Sequence, residues 1–322
     1  MAPILSIVIP VYNVSEYISK CVHSCFDQNV NKKSYEIIIV NDGSTDNSLK
    51  ICKTLQIQFP EITIVSQENR GLSGARNTGL HYSNGKYVWF VDSDDWIESN
   101  KLKTILQELE QNMDILWLGH DVYHKNKVIN EFVPNATKQL ISGEDLFANH
   151  LNNLFFIWKF IYKKKFLESN RLLFMEGILY EDLEFTPRAL LKAEKCITLP
   201  SVCYHYLVRE GSIVTNVKPK NIQNRFSILN ELTKLLDENT ASELYRSTLS
   251  KVIIHTAESS FDLAAKSGVE ISDEIINVID KLVSNKKLKF QISKKLLLIN
   301  INPRLYYFFI NKSYKFYRVF SN

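Results

Sequence analysis

The sequence predicts an α/β fold, an open and mostly parallel sheet followed by a helical C-terminal region. Three observations predict it. Through the first 119 residues, runs of Ile, Val and Leu alternate with stretches of helical apolar spacing. Polar clusters stand where the apolar runs end, and beyond Pro219 the spacing becomes mostly helical. A chain of 322 residues with 45% hydrophobic content can bury a large core and carry an appendage.

Residues 5–11 form an apolar run suited to a strand buried on both faces. Asn13, with Glu16 three residues on, reads as a capping box for a helix carrying Tyr17, Ile18, Cys21, Val22 and Cys25. A strand over 36–40, the turn NDGSTD and a helix with Leu49, Cys52, Leu55 and Phe59 repeat the unit, and a strand over 63–65 follows. The Gly-punctuated ENRGLSGARNTGL leads into a helix over 73–82, and YVWFV is the next buried strand. A helix with Leu102, Ile105, Leu106 and Leu109 then precedes a strand over 114–119. The alternation stops there. Residues 120–215 mix short strands at 128–133, 196–199 and 202–207 with helices near 143–151 and 183–193. Helical spacing returns at 222–236 and 242–265. The expected division is a domain over 1–215, with halves 1–119 and 120–215, and a helical region over 216–322.

Charge is unevenly placed. Of 39 Lys and Arg, ten fall in 281–322, where none of the 35 Asp and Glu occurs, so the body is mildly acidic and the tail basic. Five cysteines without a CxxC pair fit neither a disulfide framework nor a thiolate zinc site, which points to reduced thiols and a cytoplasmic setting. The apolar start lacks a basic leader and a small-residue cleavage site, and reads as a strand, not a signal peptide. The apolar stretches near the C-terminus are broken by Asn300, Asn302 and Pro303, so membrane contact is expected to be peripheral. The tail 281–322 interleaves its cations with nine aromatics. Such a mixture suits stacking on single-stranded nucleic acid, an amphipathic helix in anionic lipid, or a plain packed helix. Tyr306, Phe309, Ile310, Tyr314 and Tyr317 recur at helical spacing with Lys312, Lys315 and Arg318 on other faces. That favours an anionic membrane surface, with no nucleic-acid partner.

Three polar clusters lie at the carboxyl ends of strands, where open α/β sheets bind ligands: Tyr12-Asn13, Asn41-Asp42-Gly43 and Asp92 to Asp95. Capping needs one carboxylate. Three in four residues repel unless a cation or donors offset them, and Mg²⁺ or Mn²⁺ prefers such oxygen ligands together with substrate phosphates. The Asn41–Asp46 turn also suits local hydrogen bonding, and Arg76 near a helix start reads either as a surface residue or as a donor to anions and nucleobase carbonyls. Glu181-Asp182 stands just ahead of a helix, where negative charge is favourable in itself.

The segments SIVIPVYN, IVNDGSTDNS, ENRGLSGARNTGL, YVWFVDSDDW and GILYEDLEF with REGSI occur in that order over about the first 215 residues. Together they resemble the inverting GT-A glycosyltransferases of family two, the bacterial group that builds polysaccharides and lipopolysaccharide. The resemblance implies a GT-A nucleotide-diphospho-sugar transferase fold, Rossmann-like, with Tyr12 stacked on the base and Pro10, Val11 and Asn13 shaping its pocket. It implies that Asp42 accepts the base's imide proton and that Arg76 lies near the base or diphosphate. Asp92 with Ser93 would face the donor, Asp94 would hold Mn²⁺ or Mg²⁺ across the phosphates, and Asp95 would support Asp94. Asp182 would be the base that takes the acceptor hydroxyl's proton, and Glu181 would support it toward the acceptor. Arg209 would close over the diphosphate, joined by Ser212, unless it is a surface-loop residue. His205 would complete the metal shell, as in some members, unless strand alternation alone explains it. His120 and His124 read as scaffold. Trp158 and Lys159 resemble the stretch before the acceptor region, where core burial is the other fate of the Trp.

The implied activity is transfer from a nucleotide sugar, UDP-linked, to a saccharide or lipid-linked saccharide at the inner face of the cell membrane. Two competing readings are a sugar nucleotidyltransferase and a non-catalytic membrane-associated scaffold. The first lacks a Gly-rich loop after Val11, and the second has no use for Asp182.

Overall fold

The computed structural model describes residues 2–125, 127–137, 139–151, 155–209, 218–238, 240–288 and 291–320, the side chains of 313–320 apart. The chain divides into two compact units, Met1–Arg209 and Glu210–Asn322.

In the first unit, strands β1 (Leu5–Val11), β2 (Tyr35–Asp42), β3 (Ile62–Gln67) and β4 (Tyr87–Phe90) alternate with helices α1 (Ile18–Phe26), α2 (Ser48–Gln58) and α3 (Gly71–Tyr82). They pair in parallel in the order β3-β2-β1-β4, with Val11 opposite Asn41 and Asp42 opposite Gln67. All seven residues of β1 are buried, as a strand covered on both faces requires. Helix α1 buries Ile18, Cys21, Val22 and Cys25, which recur at helical spacing. A Cβ built on Gly79 would lie 2.1 Å from Val8 Cγ1, so only glycine lets α3 pack this close to the sheet.

The rest of the unit comprises β5 (Trp96–Ile97), α4 (Leu102–Leu109), β6 (Ile115–His124), β7 (Lys127–Phe132), α5 (Gly143–Asn149), β8 (Phe160–Lys163), α6 (Lys164–Ser169), α7 (Glu181–Lys192) and β9 (Cys196–Leu207). Among the described residues the sheet has the order β3-β2-β1-β4-β8-β6-β9-β5, with β7 on β6. It is mixed in this half. β8 runs antiparallel between β4 and β6, β5 is antiparallel to β9, and only β6 and β9 pair in parallel. The expected strands at 196–199 and 202–207 are one strand, whose register against β6 shifts around Gly119.

The capping box expected at Asn13 does not form. α1 starts at Ile18, and Asn13, at φ 51°, turns its Oδ1 to accept from Thr45 N at 2.8 Å and Asp46 N at 3.3 Å. The parallel register of β1 and β2 brings the two loops side by side, so Asn13 ties down the turn before α2 instead of its own helix.

The second unit is helical: α8 (Pro219–Leu235), α9 (Glu243–Ser267), α10 (Asp273–Ser284), α11 (Lys294–Ile301) and α12 (Pro303–Phe320). Ser242, Ser272 and Ser293 cap α9, α10 and α11 by accepting from Tyr245 N, Ile275 N and Leu296 N. Gly268, at φ 71°, ends α9 in the left-handed conformation. α12 packs on α9 through Tyr306 against Phe261, at 5.9 Å between ring centroids, and through Asn311 Nδ2 donating to Ala265 O at 2.6 Å.

Candidate active site

The carboxyl ends of β1, β2 and β4 lie along one edge, because the three strands are parallel and adjacent. Tyr12 follows β1 and is 49% exposed, with its ring available to a ligand. Pro10 and Val11 are buried inside β1 and support Tyr12 from within the sheet without lining an open surface. Asp42, 2% exposed, accepts at Oδ1 from Gln67 Nε2 at 2.7 Å and from Arg70 N at 2.8 Å. Its Oδ2 has no hydrogen-bond partner among the described residues. Thr78 Oγ1 in turn donates to Gln67 Oε1 at 2.5 Å, which fixes the amide that holds Asp42.

The four residues Asp92 to Asp95, which begin one residue beyond β4, divide their labour. Asp92 Oδ1 accepts from Arg76 Nη2 at 2.7 Å. Ser93 is buried. Asp94, partly exposed, pairs through Oδ2 with Arg209 Nε at 2.6 Å. Asp95, 1% exposed, accepts from Tyr204 Oη at 2.7 Å and from Leu207 N at 2.8 Å, and so ties the end of β4 to β9. Burial, with the Asp94 and Asp92 charges beside it, holds the Asp95 carboxyl well above the usual range. Tyr204 Oη also accepts from Asp92 N at 3.1 Å. Sequence reasoning missed Tyr204, although strand alternation places it, with Tyr206, on the face opposite His205.

Arg76 departs from expectation. It is 2% exposed, with Nη2 on Asp92 and Nη1 on Glu181, while its buried Nε has no partner among the described residues. The Arg76 side chain therefore faces the interior of the site and is not presented to a nucleobase. Glu181 is likewise turned inward to Arg76 and not outward to an acceptor. Asp92, Arg76 and Glu181 form a chain that links the end of β4 to the start of α7. The next residue is Asp182, whose Oδ1 accepts from Leu183 N at 2.8 Å. Burial first, and then the Glu181 charge, push its carboxyl up to about 7. Tyr180, immediately before, adopts φ 63° and ψ 40°, a left-handed conformation that costs a bulky residue of order 1–3 kcal/mol and sets the direction in which α7 starts.

The structure does not bring His205 to Asp94. Its Nδ1 lies 2.6 Å from Asp121 Oδ1 and its Nε2 3.1 Å from Glu98 Oε2, so both ring nitrogens face other carboxylates. The alternation of β9 turns it away from the face that carries Tyr204, and the metal-ligand expectation is corrected accordingly. His120 is buried between the Phe132 and Trp158 rings. Trp158 stacks on Tyr204 at 4.3 Å and sits in the core. Ser212 falls outside the described residues. A groove of about 830 Å³, bordered by Glu16, Lys20, His23, Asp27, Phe59 and Trp96, lies on α1 and includes none of the expected site residues.

Among the described residues no group of three or more His, Cys, Asp and Glu side chains is placed to hold a metal ion. Asp92 and Asp95 are committed to Arg76 and to Tyr204 with Leu207, which leaves Asp94, faced by a guanidinium. One carboxylate could hold a hard divalent ion only with its other ligands supplied by substrate phosphates and water, and Arg209 would then have to give up its pairing with Asp94.

This arrangement, a mixed sheet whose first four strands are parallel and carry acidic residues beyond their ends, with a carboxylate pair opening a later helix, belongs to a known class. The chain is a member of Glycosyl transferase family 2, whose family model matches residues 6–169. Among curated relatives it is 28% identical to glycosyltransferase GlyA of Streptococcus pneumoniae over 99% of this chain and 48% of that protein. It is 33% identical to a poly(ribitol-phosphate) beta-glucosyltransferase of Bacillus spizizenii over 74% of this chain and 38% of that protein. The chain thus spans about half the length, or less, of these two relatives. Among solved structures, S. aureus TarS 1-349 in complex with UDP-GlcNAc shares the fold at a TM-score of 0.74 and 20% identity, over 97% of this chain and 91% of that one. The mannosyltransferase PcManGT of Pyrobaculum calidifontis, in complex with GDP-Man and Mn²⁺, gives a TM-score of 0.54 at 14% identity, over 94% and 88%. The GT-A fold expected from the motifs is the one observed.

Proposed function

We propose that the chain is an inverting, metal-dependent glycosyltransferase that moves a sugar from a UDP-sugar to a hydroxyl of a saccharide or lipid-linked saccharide in surface-polysaccharide synthesis. The observation that carries this reading is Asp182, a carboxylate brought to about 7 at the start of α7 and connected through Glu181 and Arg76 to Asp92 at the donor edge. A base of that strength is ionised in part at neutral pH and still basic enough to take a proton. The UDP-GlcNAc bound to TarS supports a UDP-sugar donor, and the Mn²⁺ in PcManGT supports a divalent ion.

In this reading Tyr12 stacks on the base, Asp42 Oδ2 accepts its imide N–H, and Asn13 holds the neighbouring turn. Asp94 would hold Mn²⁺ or Mg²⁺, which when bound would supply positive charge to the departing diphosphate. Arg209 contributes a second cation there. Asp182 takes the acceptor's hydroxyl proton as that oxygen bonds to the anomeric carbon. The bond from that carbon to the diphosphate breaks on the opposite side, and its electron pair leaves with the nucleoside diphosphate. One displacement inverts the configuration and needs no enzyme nucleophile. Asp95 and Tyr204 keep the acidic loop in place. A lipid-linked acceptor places the enzyme at the cytoplasmic face of the cell membrane, held by its basic C-terminal segment.

Incubation with a panel of nucleotide sugars and Mn²⁺, scored for nucleoside diphosphate release in the presence of acceptor, tests the proposal. Release from a UDP-sugar that chelator abolishes and Mn²⁺ restores is expected. Full activity in excess chelator would remove the metal, and no release from any donor would remove the transferase.

A further inference from the structure

The outward face of α11 and α12 carries none of the residues assigned to sugar transfer. Leu297, Leu298, Ile301, Leu305, Phe308 and Phe309 are all exposed, Ile301 by 79%, Phe308 by 55% and Phe309 by 58%. They fall within residues 297–309, and along α12 they recur at i, i+3 and i+4, so they share one side. The opposite side, with Tyr306 and Asn311, is the one packed on α9. Spacing alone assigned Tyr306, Phe309, Ile310, Tyr314 and Tyr317 to the lipid side; Phe309 is exposed, Tyr306 packs on α9, and the side chains of Tyr314 and Tyr317 lie outside the described residues. An apolar cluster this dense on a surface marks a contact with something else.

Charge decides what that is. Lys294, Arg304 and Lys312 stand on the same two helices, Arg304 in an exposed pair with Asp273 of α10 at 3.0 Å that headgroup phosphates would compete for, and 281–322 holds ten Lys and Arg without an acidic residue. A second copy meeting this face about a two-fold axis would bring two basic segments together. A bilayer with anionic headgroups supplies the opposite charge and, beneath it, an apolar layer for the side chains. No helix among the described residues is long and apolar enough to cross a membrane, which fits a helix lying in the interface.

We propose that α11 and α12 dock flat on an anionic bilayer, with Ile301, Leu305, Phe308 and Phe309 inserted and Lys294, Arg304 and Lys312 at headgroup level. This rests on the proposed membrane-surface acceptor and adds the face that makes the contact. The test is co-sedimentation of the full chain with vesicles of phosphatidylcholine alone and of phosphatidylcholine mixed equally with phosphatidylglycerol. UDP binding is measured in parallel. The chain is expected to bind the mixed vesicles and to bind phosphatidylcholine weakly. Phe308→Ser with Phe309→Ser should weaken binding about 10- to 100-fold, given the apolar area of two aromatic rings, and leave UDP binding intact. Lys312→Glu should weaken it several-fold at low salt and hardly at all at high salt. Unchanged vesicle binding by the double-serine variant would overturn the assigned face while leaving a membrane role standing. Failure of the wild type to bind either vesicle would overturn both, and so would a dimer, formed without lipid, that the same two substitutions dissolve.

Discussion

Replacing Arg76 by methionine should cost this protein more stability than its position near a helix start suggests. The guanidinium is 2% exposed and is shared between Asp92, at 2.7 Å, and Glu181. Methionine keeps much of the stem that packs near Phe174 and removes only the charge and its hydrogen bonds. Two carboxylates then remain in the interior without their cation, a loss of roughly 3–5 kcal/mol for a broken buried pair. For a unit of this size that is a fall in Tm of about 6–20 °C. The loss has a pH signature. Burial already raises the Asp92 carboxyl with Arg76 in place, and loss of the guanidinium raises it further, so the native state holds more protons and destabilisation grows as pH rises from about 4 toward neutrality. Thermal unfolding followed by circular dichroism at pH 5 and pH 8 should show the larger loss at pH 8. Arg76→Met combined with Asp92→Asn and Glu181→Gln should recover most of it. A shift below about 2 °C, equal at both pH values, would refute the argument that Arg76 neutralises this pair.

Three further outcomes follow from the same network. Glu181→Gln removes the charge that helps raise Asp182, so the acidic limb of kcat/KM should move to lower pH than in the wild type, whereas an unmoved limb would separate the two residues. Asp182→Asn should stabilise the fold at pH 8 by roughly 1–4 kcal/mol and not at pH 4, because a carboxyl at about 7 in the native state and about 3.9 unfolded withdraws stability as pH rises between those values. Denaturant titration at both pH values checks this. Asp42→Ala should weaken UDP binding by roughly 1–3 kcal/mol in calorimetry, since Gln67 and the Arg70 amide lose their acceptor along with the base.

The first half of the fold was readable because β1, β2 and β4 are buried on both faces and announce themselves as unbroken apolar runs. β8 and β5, of four and two residues, are too short to show a period, and their antiparallel pairing depends on partners distant in sequence. The proposed site was legible as a set of residue types at element ends: Asp42 ends β2, Asp92 and Asp94 lie just beyond β4, and Asp182 stands in the first turn of α7. Their partners were not. That Arg76 is consumed by Asp92 and Glu181, that His205 faces Asp121 and Glu98, and that Asn13 serves another loop are products of three-dimensional contact. The face of α12 was legible only in part, at Phe309 and not at Tyr306, for a related reason. Amphipathic spacing says that a helix has two sides, and only packing on α9 says which side is already covered.

The central claim is that Asp182 takes the acceptor's proton in a single inverting displacement. The measurement that tests it is the turnover of Asp182→Asn beside its UDP-sugar affinity, together with the anomeric configuration of the wild-type product. Turnover should fall about 10²- to 10⁴-fold, the usual worth of a general base, with donor affinity unchanged and the product inverted. Near-normal turnover in that variant, or a product that keeps the donor's configuration, would contradict the account.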